Sequence, residues 1–221
     1  MPKINIRRIL YVMLWVLLAT GTLTLLVSAY AKNQTKKCTD LYIQIDGPNN
    51  HFFVDKQDVI KVIRKYAGNK VEGKLINSFK LQNIEKELEK NPWISKAVLY
   101  FDIKGRLNAE LEEREPVARL FTTDGQTFYI DQEANVLPLS NEHLAEVPIF
   151  TGFSGNLQKL NKSDLGLMQS IRYMSLYIQQ DSFLNTMIDQ VTINTKNQFE
   201  LVPSLGKQEI LFGDTTDLAK K

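Results

Sequence analysis

Residues 9–31 carry no charged side chain; the run opens at Ile9, passes Trp15 and Gly21, and closes at Ala31. At a helical rise of about 1.5 Å per residue it spans about 35 Å, enough to cross a hydrocarbon core of about 30 Å with some tilt. An α-helix is the only open-chain form that satisfies its own backbone polar groups in lipid, so the run predicts a transmembrane helix. Lys3, Arg7 and Arg8 precede it, and Lys32, Lys36 and Lys37 follow. The lysine and arginine counts tie. The N-terminal amine tips the balance toward a cytoplasmic tail at 1–8, with the remaining chain outside the cytoplasm. The competing expectation is a cleaved signal peptide, because Ala29-Tyr30-Ala31 has the small-residue cleavage pattern. The apolar core of such a peptide runs for about 7–15 residues, shorter than this one, which favours a retained anchor.

Charged residues make up 24% of the chain and apolar residues 43%, proportions of a folded protein rather than a disordered one. A net charge of +2 lacks the basic excess of a nucleic-acid binder. Cys38 is the single cysteine, which excludes an intramolecular disulfide and a multi-cysteine metal site. His51 and His143 fall in no metal-ligand spacing. The sequence contains no nucleophile elbow, phosphate loop or dinucleotide fingerprint. Glu112 and Glu113 are adjacent on an expected strand, so they project to opposite faces and form no acid–base pair. Asp131 and Glu133 are read as turn chemistry. No catalytic residue, metal or cofactor is expected.

Residues 32–40 are polar and predict a linker, with Cys38 an unpaired thiol within it. Leu41, Ile43 and Ile45 share one face of a predicted strand. Asp55 stands at the N-cap of a helix whose stripe is Val59, Val62, Ile63 and Tyr66, and Gly68 stops it. Leu81, Ile84 and Leu88 line a second helix, which ends before Pro92 because the residue preceding a proline is driven from the helical region. Alternation through Trp93, Ser95, Ala97, Leu99 and Phe101, a turn at Lys104-Gly105, and alternation through Leu107, Ala109 and Leu111 predict a hairpin. The order β-α-α-β-β predicts a two-layer domain over 41–115. Beyond it, Asp124-Gly125 marks a hairpin. Ser163 or Asp164 is expected to cap a helix carrying Leu165, Met168, Ile171 and Leu176. Strands near 191–195, 198–203 and 208–212 complete a mainly antiparallel β domain with one packed helix over 116–221. The fold class is α+β behind a single N-terminal transmembrane helix.

Pro92, Trp93 and Ile94 at the helix end, then the hairpin, then Glu113, Arg114, Pro116, Val117 and Ala118 resemble the POTRA domain of the bacterial FtsQ/DivIB cell-division family. Tyr129-Ile130-Asp131 with Val136-Leu137-Pro138-Leu139 resembles that family's next hairpin motif, and Asn135 stands where the motif has glycine. Asparagine is among the few residues that accept a left-handed conformation, so it is tolerated in the place of that glycine. Val147 through Gly152, and the pair formed by Phe199–Pro203 and Ile210–Gly213, resemble its later motifs. The family continues with a helix and a last strand, whereas residues 214–221 only begin that helix, so the C-terminal part of the β domain is expected to be missing.

The resemblance implies a non-enzymatic scaffold of the division machinery, anchored in the cytoplasmic membrane at the septum with its domains outside. Its implied partners are other anchored division proteins, FtsB/DivIC-like and FtsL-like, with no nucleic acid and no small-molecule substrate. It implies recruitment contacts at Lys96, Leu99 and Phe101 on an edge strand, and partner contacts at Gln208, Glu209, Ile210, Leu211 and Phe212. The alternatives are an export or chaperone module of POTRA type, and an envelope hydrolase, which would need a nucleophile or metal site.

Overall fold

The computed structural model describes residues 6–47, 53–140, 143–157, 159–206 and 208–216; His51 lies outside them. Helix α1 (Ile6–Gln34) contains the uncharged run. Its segment Tyr11–Ser28 has a mean hydropathy of 1.9, packs against nothing in the chain, and is long and apolar enough to cross a membrane. Trp15 is exposed and Gly21 faces open space. Thr20, Thr22 and Thr24 donate their hydroxyls to carbonyls three or four residues back, so these side chains satisfy themselves within the helix.

The first sheet follows α1. Strand β1 (Leu41–Asp46), helices α2 (Lys56–Ala67) and α3 (Leu81–Leu88), and strands β2 (Ile94–Phe101) and β3 (Leu107–Glu113) succeed one another. The sheet order is β1-β3-β2, with β1 parallel and β2 antiparallel to β3. Asp55 caps α2 by accepting from the Gln57 amide at 2.9 Å. Val59 and Ile63 of α2 and Ile84 and Leu88 of α3 pack over Ala97, Leu99, Leu107, Ala109 and Leu111. Both helices therefore cover one face, and the other stays open. A register irregularity between Ile94 and Lys96 interrupts the alternation, so consecutive Trp93 and Ile94 both turn inward.

The expected linker is only partly one. The Cys38 amide donates to the Lys74 carbonyl and the Gly73 amide to the Cys38 carbonyl, each at 2.7 Å, and the Ile76 amide reaches the Lys36 carbonyl at 3.0 Å. Cys38 is 2% exposed, a core residue rather than a linker thiol, and burial pushes its pKa up. Polarity signalled a loop because these bonds are made by backbone, which composition does not encode. Gly105 has φ 85°, and a Cβ there would meet the Lys37 carbonyl oxygen at 2.9 Å. Glycine lets the hairpin tip approach this segment so closely.

The second sheet has seven strands: β4 (Pro116–Thr122), β5 (Thr127–Asp131), β6 (Val136–Leu137), β7 (Ile149–Phe153), β8 (Ile188–Ile193), β9 (Phe199–Pro203) and β10 (Ile210–Gly213). Their order is β10-β9-β8-β7-β4-β5-β6. The joins β4–β7 and β7–β8 are parallel and the others antiparallel. Gly152 on β7 has φ 86°, and a Cβ there would overlap the Ile193 carbonyl. Helix α4 (Lys162–Gln180) covers one face and a short α5 (Ser182–Met187) follows it.

Three local expectations are corrected here. The cap of α4 is Asn161, which accepts from the Ser163 and Asp164 amides while Asp164 accepts from the Asn161 amide. The buried stripe of α4 is Leu167, Met168, Ile171, Met174, Ser175 and Ile178, with Leu165 exposed. The cap lies two or three residues before the expected one, and the stripe is the face that packs into the second core. In the β5–β6 hairpin the left-handed residue is Ala134, φ 63°, rather than Asn135. Asn135 instead donates its amide and its Nδ2 to Asp131.

Candidate partner-binding edges

The first sheet ends at β2. Antiparallel pairing uses one side of each strand, and the other side of an edge strand carries amides and carbonyls that need partners. Two outward amides of β2 are already taken. The Leu99 amide donates to Glu85 Oε1 at 2.7 Å and the Ala97 amide to Glu89 Oε1 at 3.2 Å. Glu85 lies on α3 and Glu89 caps its C-terminal end, and their i, i+4 spacing places them over alternate residues of the strand. Charge-assisted bonds of this kind are about twice as strong as neutral ones.

The side chains expected to recruit partners at β2 are placed unequally. Lys96 is exposed on the open face, beside Asp46, Val98, Glu110 and Glu112. Leu99 is 4% exposed and belongs to the core, a correction to its expected surface role. Phe101 is half-buried, edge-on to Phe79 with ring centroids 5.2 Å apart. The odd-numbered positions from Ala97 onward point at the helices, and Val98 and Tyr100 take the open face.

The second sheet ends at β10. Ile210 and Leu211 pair with Leu201 and Glu200 of β9, and among the described residues no strand lies on the far side. Leu211 is 79% exposed and Ile210 about half exposed. Phe212 packs partly against the second core. Gln208 and Glu209 are exposed but precede the strand.

The two sheets meet at a junction built from motif residues. Trp93, just before β2 and following Pro92, stacks on Phe53 at 4.1 Å and lies edge-on to Tyr129 of β5 at 6.1 Å. Tyr129 and Leu137 of the second sheet thereby join the core of the first. Glu113 is 6% exposed and accepts from the amides of Val54 at 2.6 Å and Phe53 at 3.3 Å. Burial raises its pKa, and these amides partly offset the rise. Arg114 Nη1 donates to Asp131 Oδ2 at 2.8 Å, and Asp131 also accepts from the Glu133 and Asn135 amides. Pro116, Val117 and Ala118 are buried at the start of β4, where the Val117 carbonyl accepts from Ser175 and Gln179 of α4. Glu113 and Asp131 are therefore organisers of backbone.

Comparison with known proteins gives two adjoining matches. A POTRA-like domain model matches residues 36–112, and the model described as FtsQ/DivIB, C-terminal related, matches residues 115–221. Taken together, the adjoining matches and one relative support the FtsQ/DivIB family. The cell division protein FtsQ of Geotalea daltonii is 30% identical over 84 residues, covering 38% of this chain and 30% of that protein. The first sheet lies in the POTRA-like match and the second in the C-terminal match, and the junction residues bridge them.

Among the described residues no three His, Cys, Asp or Glu side chains converge as metal ligands. His143 lies edge-on to Phe53 at 6.2 Å. Sequence reasoning missed Glu85 and Glu89 as edge caps and Phe53 and Tyr129 as junction residues. The two glutamates sit on the polar flank of an amphipathic helix, where a solvated carboxylate has the same one-dimensional pattern. Only the i, i+4 spacing beside a predicted edge strand hinted at them.

Proposed function

We propose that this FtsQ/DivIB protein is a non-enzymatic scaffold of the division machinery, anchored by α1 in the cytoplasmic membrane with both sheets outside the cytoplasm at the septum. Family membership supports a cell-division role, and the family is one of non-catalytic division proteins. The mechanism is capture at close range: a shared membrane raises the effective concentration of anchored partners, and an open sheet edge accepts an extended segment from another chain. The observation that carries this reading is β10, a terminal strand with Ile210 and Leu211 exposed and no strand beyond it among the described residues. Its expected occupants are FtsB/DivIC-like and FtsL-like proteins. On the first sheet, Lys96 with Val98 and Tyr100 forms the accessible face for recruitment contacts.

Co-purification from membranes tests the reading. The full chain is expected to retain FtsB/DivIC-like and FtsL-like proteins, and Leu211→Asp to reduce their recovery at least tenfold. Undiminished recovery in a folded Leu211→Asp chain would remove β10 as the docking strand.

A further inference from the structure

The chain offers no slack between the membrane helix and the first sheet. Helix α1 ends at Gln34. The Lys36 carbonyl already accepts from the Ile76 amide, Lys37 bridges to Leu75, and the Thr39 amide donates to the Gly105 carbonyl at 3.0 Å. From Ala31, three helical residues rise about 4.5 Å and three extended residues add at most about 10 Å. Lys37 therefore sits within about 15 Å of the hydrocarbon edge. The headgroup layer occupies about 5–8 Å of that distance, and the Debye length at physiological salt is about another 8 Å. The loops bonded to this segment, 73–76 and 103–105, are held at the membrane surface.

Those loops carry the side chains such a place favours. Ile103 at the tip of the β2–β3 hairpin is 95% exposed, and Leu75 is nearly half exposed. Lys36, Lys37 and Lys104 are exposed around them. Asp102 is neutralised by Arg106 at 3.3 Å, which leaves Asp40 and Glu72 as the opposing charges close by. Lys74 is turned away, its Nζ donating to the Ala67 carbonyl. A lone exposed isoleucine means little on an ordinary surface. Here it shares a short tether with three exposed lysines and an apolar helix.

We propose that this end of the POTRA-like domain is a membrane-contact surface: Ile103 and Leu75 enter the interfacial layer while Lys36, Lys37 and Lys104 engage anionic phospholipid headgroups. The inference rests on α1 being a retained anchor. Apolar residues flanked by lysines are the combination that lies in an interface rather than across it. The contact fixes the tilt of the first sheet and so the height at which both sheet edges face neighbouring proteins.

The test uses the full chain in lipid nanodiscs, one set zwitterionic and one containing about one-third phosphatidylglycerol. A nitroxide is attached through Ile103→Cys, with Leu211→Cys as comparator and the unsubstituted chain labelled in parallel to report signal from Cys38. Accessibility to a water-soluble nickel complex at position 103 is expected to be at least threefold below that at position 211 in anionic discs. It should rise toward the position-211 value when Lys36, Lys37 and Lys104 are changed to Glu. Equal accessibility at the two positions overturns the contact, and equal protection in both lipid compositions overturns headgroup recognition. A chain that fails to co-elute with discs overturns the anchor itself, whereas co-elution without protection at 103 overturns this inference alone.

Discussion

The edges β2 and β10 face the same physical problem and meet it differently. At β2 two outward amides are held by Glu85 and Glu89, and the side chains that share their residues, Ala97 and Leu99, are buried. At β10 the side chains of Ile210 and Leu211 are exposed, and no strand lies beyond it among the described residues. An incoming strand at β2 must displace two charge-assisted bonds before it gains any of its own; at β10 it starts from apolar contact. Position at the end of a sheet is therefore a poor guide to availability, because a neighbouring helix can complete the ladder with side chains.

The sharpest way to break this comparison is to make the same substitution at both edges. Leu99→Asp leaves a carboxylate in a packed core and is expected to cost about 3–5 kcal/mol, read as a lowered midpoint in denaturant. Leu211→Asp lies on the surface and is expected to change stability by less than about 0.5 kcal/mol. Similar losses at both would show that β10 is covered as β2 is.

Smaller in effect is the combined change Glu85→Ala with Glu89→Ala. Each lost bond is expected to cost about 1–2 kcal/mol. Amide exchange at Ala97 and Leu99, followed by NMR, is expected to quicken at least tenfold while Val98 and Tyr100 change little. Unchanged exchange at the two amides would mean that the carboxylates do not protect the edge. Among surface charges near the same strand, Lys96→Glu is expected to leave denaturation unaltered and to lower partner recovery less than Leu211→Asp does.

The smallest effect is a pH dependence at the junction. Glu113 has a raised pKa, chiefly through burial, so its protonated form is favoured by folding. Its contribution is fully present below the ordinary glutamate value of 4.5 and is lost as pH rises through the higher folded value. Glu113→Gln keeps an acceptor for the Val54 amide and carries no charge. Stability of this variant is expected to lose that slope across mildly acidic pH, as measured by denaturant midpoints at successive pH values.

Much of the frame was legible because it is local. The uncharged run, the Asp55 cap, the Lys104-Gly105 turn and the alternation of Leu107, Ala109 and Leu111 each depend on residues a few positions apart, and each recurs in the structure. The candidate sites were less legible. Alternation put Lys96 and Leu99 on opposite faces of an edge strand, but only helix docking showed that the Leu99 face is the core. Cys38 looked like linker because its burial depends on backbone bonds to Gly73 and Lys74. Asn135 was read as able to take the left-handed conformation, whereas Ala134 takes it and Asn135 gives two of the four hydrogen bonds that the Asp131 carboxylate accepts.

The sequence alone determined that this chain carries a membrane-length apolar helix followed by two small sheet modules, since helix length, caps and alternation are set by neighbours along the chain. Which edge of each sheet stays open, and how Trp93, Glu113 and Arg114 join the modules, was decided only in three dimensions. Those outcomes rest on hydrogen bonds and ring contacts between residues far apart in sequence, such as Trp93 with Tyr129 and Glu113 with Val54, and no one-dimensional pattern specifies their partners.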